Sequence, residues 1–393
     1  MGEDAGPMLR PSPQMPVPDS AALDASRALV AYIKTEIAAH GGWLPFADFM
    51  RLALYLPGLG YYTGGAQKFG AAGDFVTAPS LGPLFAQTLA RQVAQLVERS
   101  APAILEFGAG GGELAGDLLA ELTRLDCPIE GYAILEPGPE LRERQRTTIA
   151  RLTPDSLDKV VWLDRLPERF RGVMIANEVL DAMPVNVLAW RAEGIFDRGV
   201  ALEEANLAWA ERPASGELLV AARALPITPP YASEIALAAR GWMASIAECL
   251  EHGALLAIDY GFPAREYYHP QRSTGTLMCH YRHFAHTDPF LYPGLQDITA
   301  HVDFSALAAS SREAGLDVLG YASQSNFLIN CGITGVLERT DAADAKRYAP
   351  LAASAHKLLS PAEMGELFKV VCFGRGIRPG LLGFARGERS QSL

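Results

Sequence analysis

Glu106, Gly108, Gly110 and Gly112 stand together in ILEFGAGGGELAGDLL, residues 104–119, where an apolar run passes into a helical pattern through four glycines and one alanine. Backbone that lacks Cβ atoms lets a ligand approach closely. No GK[ST] follows, which excludes the phosphate loop of nucleoside triphosphatases. A dinucleotide turn matches poorly as well. Glu113 occupies the third glycine position and Glu106 ends the strand, so two carboxylates would face a pyrophosphate. A cationic ligand reverses that argument. S-adenosyl-L-methionine carries a sulfonium and an ammonium group and no phosphate. Glu106 can hold the ammonium side while the glycines admit the sulfonium arm. Glu136 ends the next apolar run and can take both ribose hydroxyls. Asp164 ends the third and suits the adenine amino group. An ordinary glycine turn with surface acids, and a nicotinamide site, are the competing readings.

A second constellation lies in VMIANEVLDAMPV, residues 173–185, which places Asn177, Glu178 and Asp181 just past a fourth apolar run. Methyl transfer is an in-line displacement in which positioning matters most. A guanidinium nucleophile stays charged up to a pKa above about 12 and needs carboxylates to orient it. Glu178 with Asp181 can supply a bidentate partner. The Pro-Pro-aromatic turn expected of an adenine-amino methyltransferase is absent. The plain alternative is a helix N-terminus that favours acids.

These residues must be held by a scaffold, and the scaffold is readable. AILEF, YAILE, VVWL, VMIAN and ALLAIDY are apolar runs without polar alternation, separated by helical patterns. Strands buried on both faces look like this, so the expected fold is α/β, a doubly wound parallel sheet. In such a sheet the ends of the first and fourth strands face each other at the switch point. VLGY and FKVVCF are candidate last strands. Residues 1–22 read as a disordered tail, 23–100 as a helical segment with a loop, 101–373 as the core, and 374–393 as a loose tail. Leu29, Ile33 and Ile37 mark a first helix, stopped by Gly41-Gly42. VNVLAW, GIFDRGVAL and ANLAWAER suggest an inserted three-strand meander at about 185–212. A second insertion, rich in aromatics, prolines and histidines, spans about 261–302.

The chain has 393 residues with 34 Lys+Arg against 45 Asp+Glu, a net charge of −11. An acidic surface disfavours nucleic acid. The five cysteines form no CxxC pair, so neither a disulfide framework nor a structural zinc site is expected. No uncharged apolar run reaches membrane-span length, and the proline-rich start lacks a signal or transit pattern, so a cytoplasmic protein without membrane insertion is expected. His280, His283 and His286 recur every three residues beside Cys279, yet no HExxH pattern accompanies them and no metal is assigned. His301 and Asp303 either shape a target channel or, for Asp303, cap the helix that follows.

Taken together, GYY with FGAAGDFVTAP (60–79), LEFGAGGGELA (105–115), EPGPELRERQ (136–145) and ANEVLDAMPV (176–185) resemble the MidA-like family of S-adenosylmethionine-dependent methyltransferases. IDYGF (258–262), GTL (275–277), PGLQDITAHVDFSAL (293–307) and MGELFKV (364–370) extend the resemblance over most of residues 25–373. It implies a class I methyltransferase core with inserted additions. It also implies S-adenosyl-L-methionine at Glu106, Gly108, Gly110, Gly112 and Glu136, an active loop at Asn177, Glu178 and Asp181, and Asp74 reaching over the donor. Asn177 is counted with Asp164 among the donor's contacts, and Glu178 and Asp181 as catalytic. Where the family often has Gly-Pro-Gly after the first acid, this chain has Gly-Ala-Gly, a mild change. The family includes the mitochondrial complex I assembly factor, which dimethylates an arginine of an NADH dehydrogenase subunit. The implied acceptor is therefore a protein arginine, with a respiratory NADH dehydrogenase subunit as the natural partner. A small-molecule methyltransferase and a donor-binding assembly factor without catalysis remain alternatives.

Overall fold

The computed structural model describes residues 15–64 and 77–393; Asp74 lies outside the described residues. The chain divides into two units. The larger comprises Val76–Met183, Ala236–Arg272 and His301–Leu393. Its sheet contains β1 (Ala103–Phe107), β2 (Gly131–Leu135), β3 (Val160–Leu163), β4 (Phe170–Asn177), β5 (Leu250–Phe262), β6 (Val302–Asp303), β7 (Asp317–Ser323) and β8 (Phe368–Arg375). The order is β3-β2-β1-β4-β5-β8-β7, with β6 paired to the end of β5. β1 to β5 are mutually parallel, whereas β8 runs antiparallel to both β5 and β7. The five apolar runs of the sequence are those five parallel strands, and the fold is the α/β class anticipated for them.

The period of two along each strand explains why the runs are apolar throughout. Ile104 and Ile175 enter one core with Leu89, Val93, Leu118 and Leu122 from helices Leu84–Arg99 and Glu113–Arg124. Leu105 and Met174 enter the opposite core with Met243, Ile246 and Leu307 from helices Leu237–Cys249 and Phe304–Glu313. Helix Leu84–Arg99, grouped by sequence with the N-terminal segment, thus belongs to the larger unit. After β1 the chain turns towards β2, and after β4 towards β5. The C-terminal ends of β1 and β4 therefore flank the switch point.

The loose tail expected at 374–393 is corrected. Ile377, Leu381 and Phe384 are buried, and the Phe384 ring lies 5.3 Å from Phe327. Side chains satisfy its backbone: Gly383 N donates to Gln92 Oε1 at 2.8 Å, and Asn330 Nδ2 donates to the carbonyls of Gly383 and Arg386 at 2.9 and 2.8 Å. Three apolar anchors spaced among polar residues left no periodic pattern to read. The tail expected over 1–22 also ends sooner, since Asp19 caps helix Ser20–Ala39 by accepting from Ala22 N at 2.9 Å.

The smaller unit joins the described part of Met1–Phe75 to Pro184–Ile235 and Ser273–Ala300. Helix Ser20–Ala39 buries Leu29, Ile33 and Ile37 as its spacing requires. The meander is present as Asn186–Arg191, Gly194–Glu203 and Asn206–Pro213, joined by two strands the sequence reading missed, Leu44–Pro45 and Tyr231–Ile235. A three-stranded sheet of Met278–Tyr281, Phe284–His286 and Asp297–Thr299 completes it. Arg282 and His283 take φ of 46° and 68°, the left-handed pair of a tight hairpin. That places His283 on the turn. His280 pairs with Ala285 and Cys279 with His286, so His280 and His286 project from opposite faces. Among the described residues no cluster of His, Cys, Asp or Glu is arranged to hold a metal ion, and no helix is long and apolar enough to cross a membrane.

Candidate active site

Glu106 is the penultimate residue of β1 and is 2% exposed. Its Oε2 accepts from Tyr132 Oη of β2 at 2.7 Å. Burial first, and then the nearby Glu113 carboxylate, push its pKa from 4.5 up to about 7, against the lowering effect of the Tyr132 bond. The loop that follows runs through Gly108, Gly110 and Gly112 with φ of 60°, 52° and 91°, all left-handed. A Cβ on Gly112 would meet Gln145 Cα at 2.9 Å, whereas one on Gly110 would meet nothing within 4 Å. The loop is thus closed on the helix side and open at Gly110.

Glu136 stands just past β2. Its Oε1 accepts from Gly138 N at 2.8 Å and its Oε2 from Gln145 Nε2 at 3.4 Å. Burial raises its pKa, offset in part by those two bonds and by Arg142. Gln145 also donates to the Gly110 carbonyl at 3.1 Å and accepts from Trp162 Nε1 at 2.8 Å. One buried amide therefore ties the glycine loop, Glu136 and β3 together. Asp164, past β3, keeps a side chain 81% exposed and pairs with the Arg142 guanidinium.

β4 ends in Asn177 and the loop 178–183. No helix starts here, so the helix-terminus account of these acids does not apply. Glu178 takes a φ of 52°, and its Oε1 accepts from Asn177 Nδ2 at 3.2 Å and from Ala78 N at 3.3 Å. Asp181 is buried, and its Oδ2 accepts from Tyr260 Oη at 2.6 Å. Burial raises the Asp181 pKa from 3.8 to about 6, the Tyr260 bond opposing. Asn177 Oδ1 and Asp181 Oδ1 are buried without a hydrogen-bond partner among the described residues. A Cβ on Gly108 would lie 3.2 Å from Val179 Cγ2, so the glycine loop and the 177–181 loop touch. The two constellations of the sequence therefore adjoin.

Beyond them, Tyr260 packs edge-on against His301 at 5.2 Å, and Phe262 lies 5.2 Å from the same ring. Burial, with Arg272 and Lys369 nearby, pushes the His301 pKa down to about 4, so its imidazole is neutral near pH 7. Asp303 caps helix Phe304–Glu313, accepting from Ser305 N at 3.0 Å and Ala306 N at 3.1 Å. Tyr132, Gln145, Arg142, Asp259 and Tyr260 were not singled out from sequence. The one available sign was an acid inside the apolar run ALLAIDY.

A family model described as "Putative S-adenosyl-L-methionine-dependent methyltransferase" matches residues 84–322. The chain belongs to this methyltransferase family. A crystal structure of a superfamily member from Burkholderia thailandensis, bound to S-adenosyl-homocysteine, is 51% identical to the methyltransferase. It superposes with a TM-score of 0.94, covering 96% of this chain and 100% of that one. The Drosophila melanogaster protein arginine methyltransferase NDUFAF7 homolog, mitochondrial, is 26% identical over 96% of this chain and 92% of its own. The human protein arginine methyltransferase NDUFAF7, mitochondrial, is 25% identical over 83% of this chain and 79% of its own.

The site of the methyltransferase fits its donor. Two carboxylates flank the glycine loop, the backbone is open at Gly110, and Asn177 Oδ1 is an acceptor still to be satisfied. A phosphate-bearing cofactor would meet carboxylates on both sides of the glycine loop.

Proposed function

We propose that this methyltransferase acts on an arginine side chain of a protein. In this reading Glu106 holds the ammonium of S-adenosyl-L-methionine, Glu136 the ribose hydroxyls, and Asn177 Oδ1 a further polar group of the donor. Asp164 stands at the adenine end, shared with Arg142. Bound there, the donor supplies an electrophilic methyl group on a sulfonium.

The observation that carries the proposal is the pair of carboxylates beside the glycine loop. Glu178 is half-buried on a left-handed backbone, and Asp181 is buried with a carboxylate oxygen unpartnered among the described residues. Glu178 accepts N–H bonds of the guanidinium and turns one nitrogen towards the methyl. Asp181, poised near pH 6 and held by Tyr260, takes the proton that nitrogen loses. Support for a protein acceptor comes from the relatives named protein arginine methyltransferase. A subunit of a respiratory NADH dehydrogenase is the partner we favour.

The test uses methyl-labelled donor and lysate of cells that lack this protein. Adding the wild type should label an arginine that mass spectrometry locates, and Glu178→Gln should lower that labelling about a hundredfold or more. Labelling independent of Glu178 would refute its role. An unlabelled lysate, with S-adenosyl-homocysteine still bound in calorimetry, would move the acceptor to a small molecule or leave donor binding without transfer.

A further inference from the structure

Glu178 stands on a backbone that side chains rarely adopt, with φ at 52°. Such a conformation persists only where its surroundings over-determine it. Here the surroundings are the end of β5. Glu178 N donates to the Ile258 carbonyl at 2.9 Å. The next three backbone N–H groups, of Val179, Leu180 and Asp181, converge on one carboxylate oxygen, Asp259 Oδ2, at 3.2, 2.9 and 3.2 Å. The other oxygen accepts from Tyr260 N at 2.9 Å. Four consecutive amides of the loop are thus fixed by two consecutive residues of one strand.

Asp259 is an expensive choice for a merely packed position. It is 1% exposed, and burial together with the Asp181 and Glu178 carboxylates opposes its charge. A neutral or apolar side chain would ease that repulsion. An asparagine could not serve the three loop amides and Tyr260 N together, because it offers one acceptor oxygen and two donors.

From this geometry we propose that Asp259 is the positioning residue of the methyl-transfer site, fixing the left-handed backbone of Glu178 and the entry of Asp181 through a three-amide clasp. This rests on the reading of loop 177–181 as the acceptor site. Asp259 touches neither donor nor acceptor and acts through the loop.

Three readouts on Asp259→Asn and Asp259→Glu, beside wild type and Glu178→Gln, test it. The first is backbone hydrogen exchange of peptides over 177–183 and over β1. The second is calorimetric affinity for S-adenosyl-homocysteine. The third is methyl transfer to lysate proteins from labelled donor. Exchange in 178–182 should quicken about tenfold or more in both variants, with β1 unchanged. Affinity for S-adenosyl-homocysteine should stay within about threefold, while transfer falls about a hundredfold, as a displacement of 1 Å can do. Unchanged exchange over 178–182 overturns the proposal. So does loss of S-adenosyl-homocysteine binding in both variants, which would make Asp259 a residue of the fold. Equal labelling by wild type and Glu178→Gln would instead sink the reading of the acceptor site. The exchange data alone would then decide whether Asp259 holds the loop.

Discussion

Replacing Glu106 by Gln should make the empty protein more stable at pH 8 while weakening its grip on the donor. In the folded chain burial holds this carboxyl's pKa at about 7, against 4.5 ordinarily. Between those values the native state keeps a proton that the unfolded chain has lost, so stability falls as pH rises. At ~1.4 kcal/mol per pH unit, the rise from 4.5 to about 7 removes ~3 kcal/mol once the group is ionised. Gln has no charge to bury and still accepts from Tyr132. Its second amide N–H adds a cost, but one that does not vary with pH. The quantity to measure is therefore the wild-type-to-variant stability difference, by urea unfolding of ligand-free protein from pH 4.5 to 8.5. That difference should move in the variant's favour by ~3 kcal/mol across the range, most of it below pH 7.5. A difference flat in pH would refute the assignment of Glu106 as a buried, reluctant acid. The same substitution should cost ~1.5–3 kcal/mol of S-adenosyl-homocysteine affinity, about 10- to 100-fold.

Affinity of the wild type for S-adenosyl-homocysteine should itself rise about tenfold per pH unit below pH 7 and level above it, because the ligand ammonium requires ionised Glu106; Glu106→Gln should show no such step by calorimetry. Gly112→Ala places a Cβ 2.9 Å from Gln145 Cα on a φ of 91°, so it should lower stability by ~2 kcal/mol or more. Gly110→Ala meets no atom within 4 Å and should cost ~1 kcal/mol of stability, yet reduce S-adenosyl-homocysteine affinity more than its stability loss implies. Phe384→Ala should cost ~3 kcal/mol and speed hydrogen exchange over 376–393, since that ring anchors the C-terminal segment against Phe327.

The parallel sheet was legible because strands covered on both faces leave uninterrupted apolar runs. The glycine loop and its flanking acids were legible because a left-handed turn and a cationic ligand demand particular residue types. Tyr231–Ile235 escaped because its sequence, YASEI, places a buried glutamate in a short strand. Glu234 is 2% exposed and accepts from the backbone N–H groups of Thr276 and Leu277 at 3.0 and 3.1 Å. Gln145 escaped because its role depends on three partners far apart in sequence: Gly110, Glu136 and Trp162. Asp259 was visible as an anomaly within ALLAIDY, but its task shows only when β5 lies beside β4. Residues whose function is to hold other residues carry little local signature.

The smaller unit is assembled from three pieces, the last of them ending at Ala300. Its second helix, Phe46–Tyr55, rests on aromatic partners made much later: Phe46 stacks on Trp209 at 4.8 Å, and Phe49 meets Phe290 at 5.3 Å. At a ribosomal pace of about 5–20 residues per second, Phe290 follows Phe49 by about 10–50 s. Until Trp209 and then Phe290 emerge, Phe46 and Phe49 have only each other among these aromatic partners. The native packing of the second helix is therefore completed only after about three quarters of the chain has been made. The larger unit's first four strands can meanwhile emerge and pair.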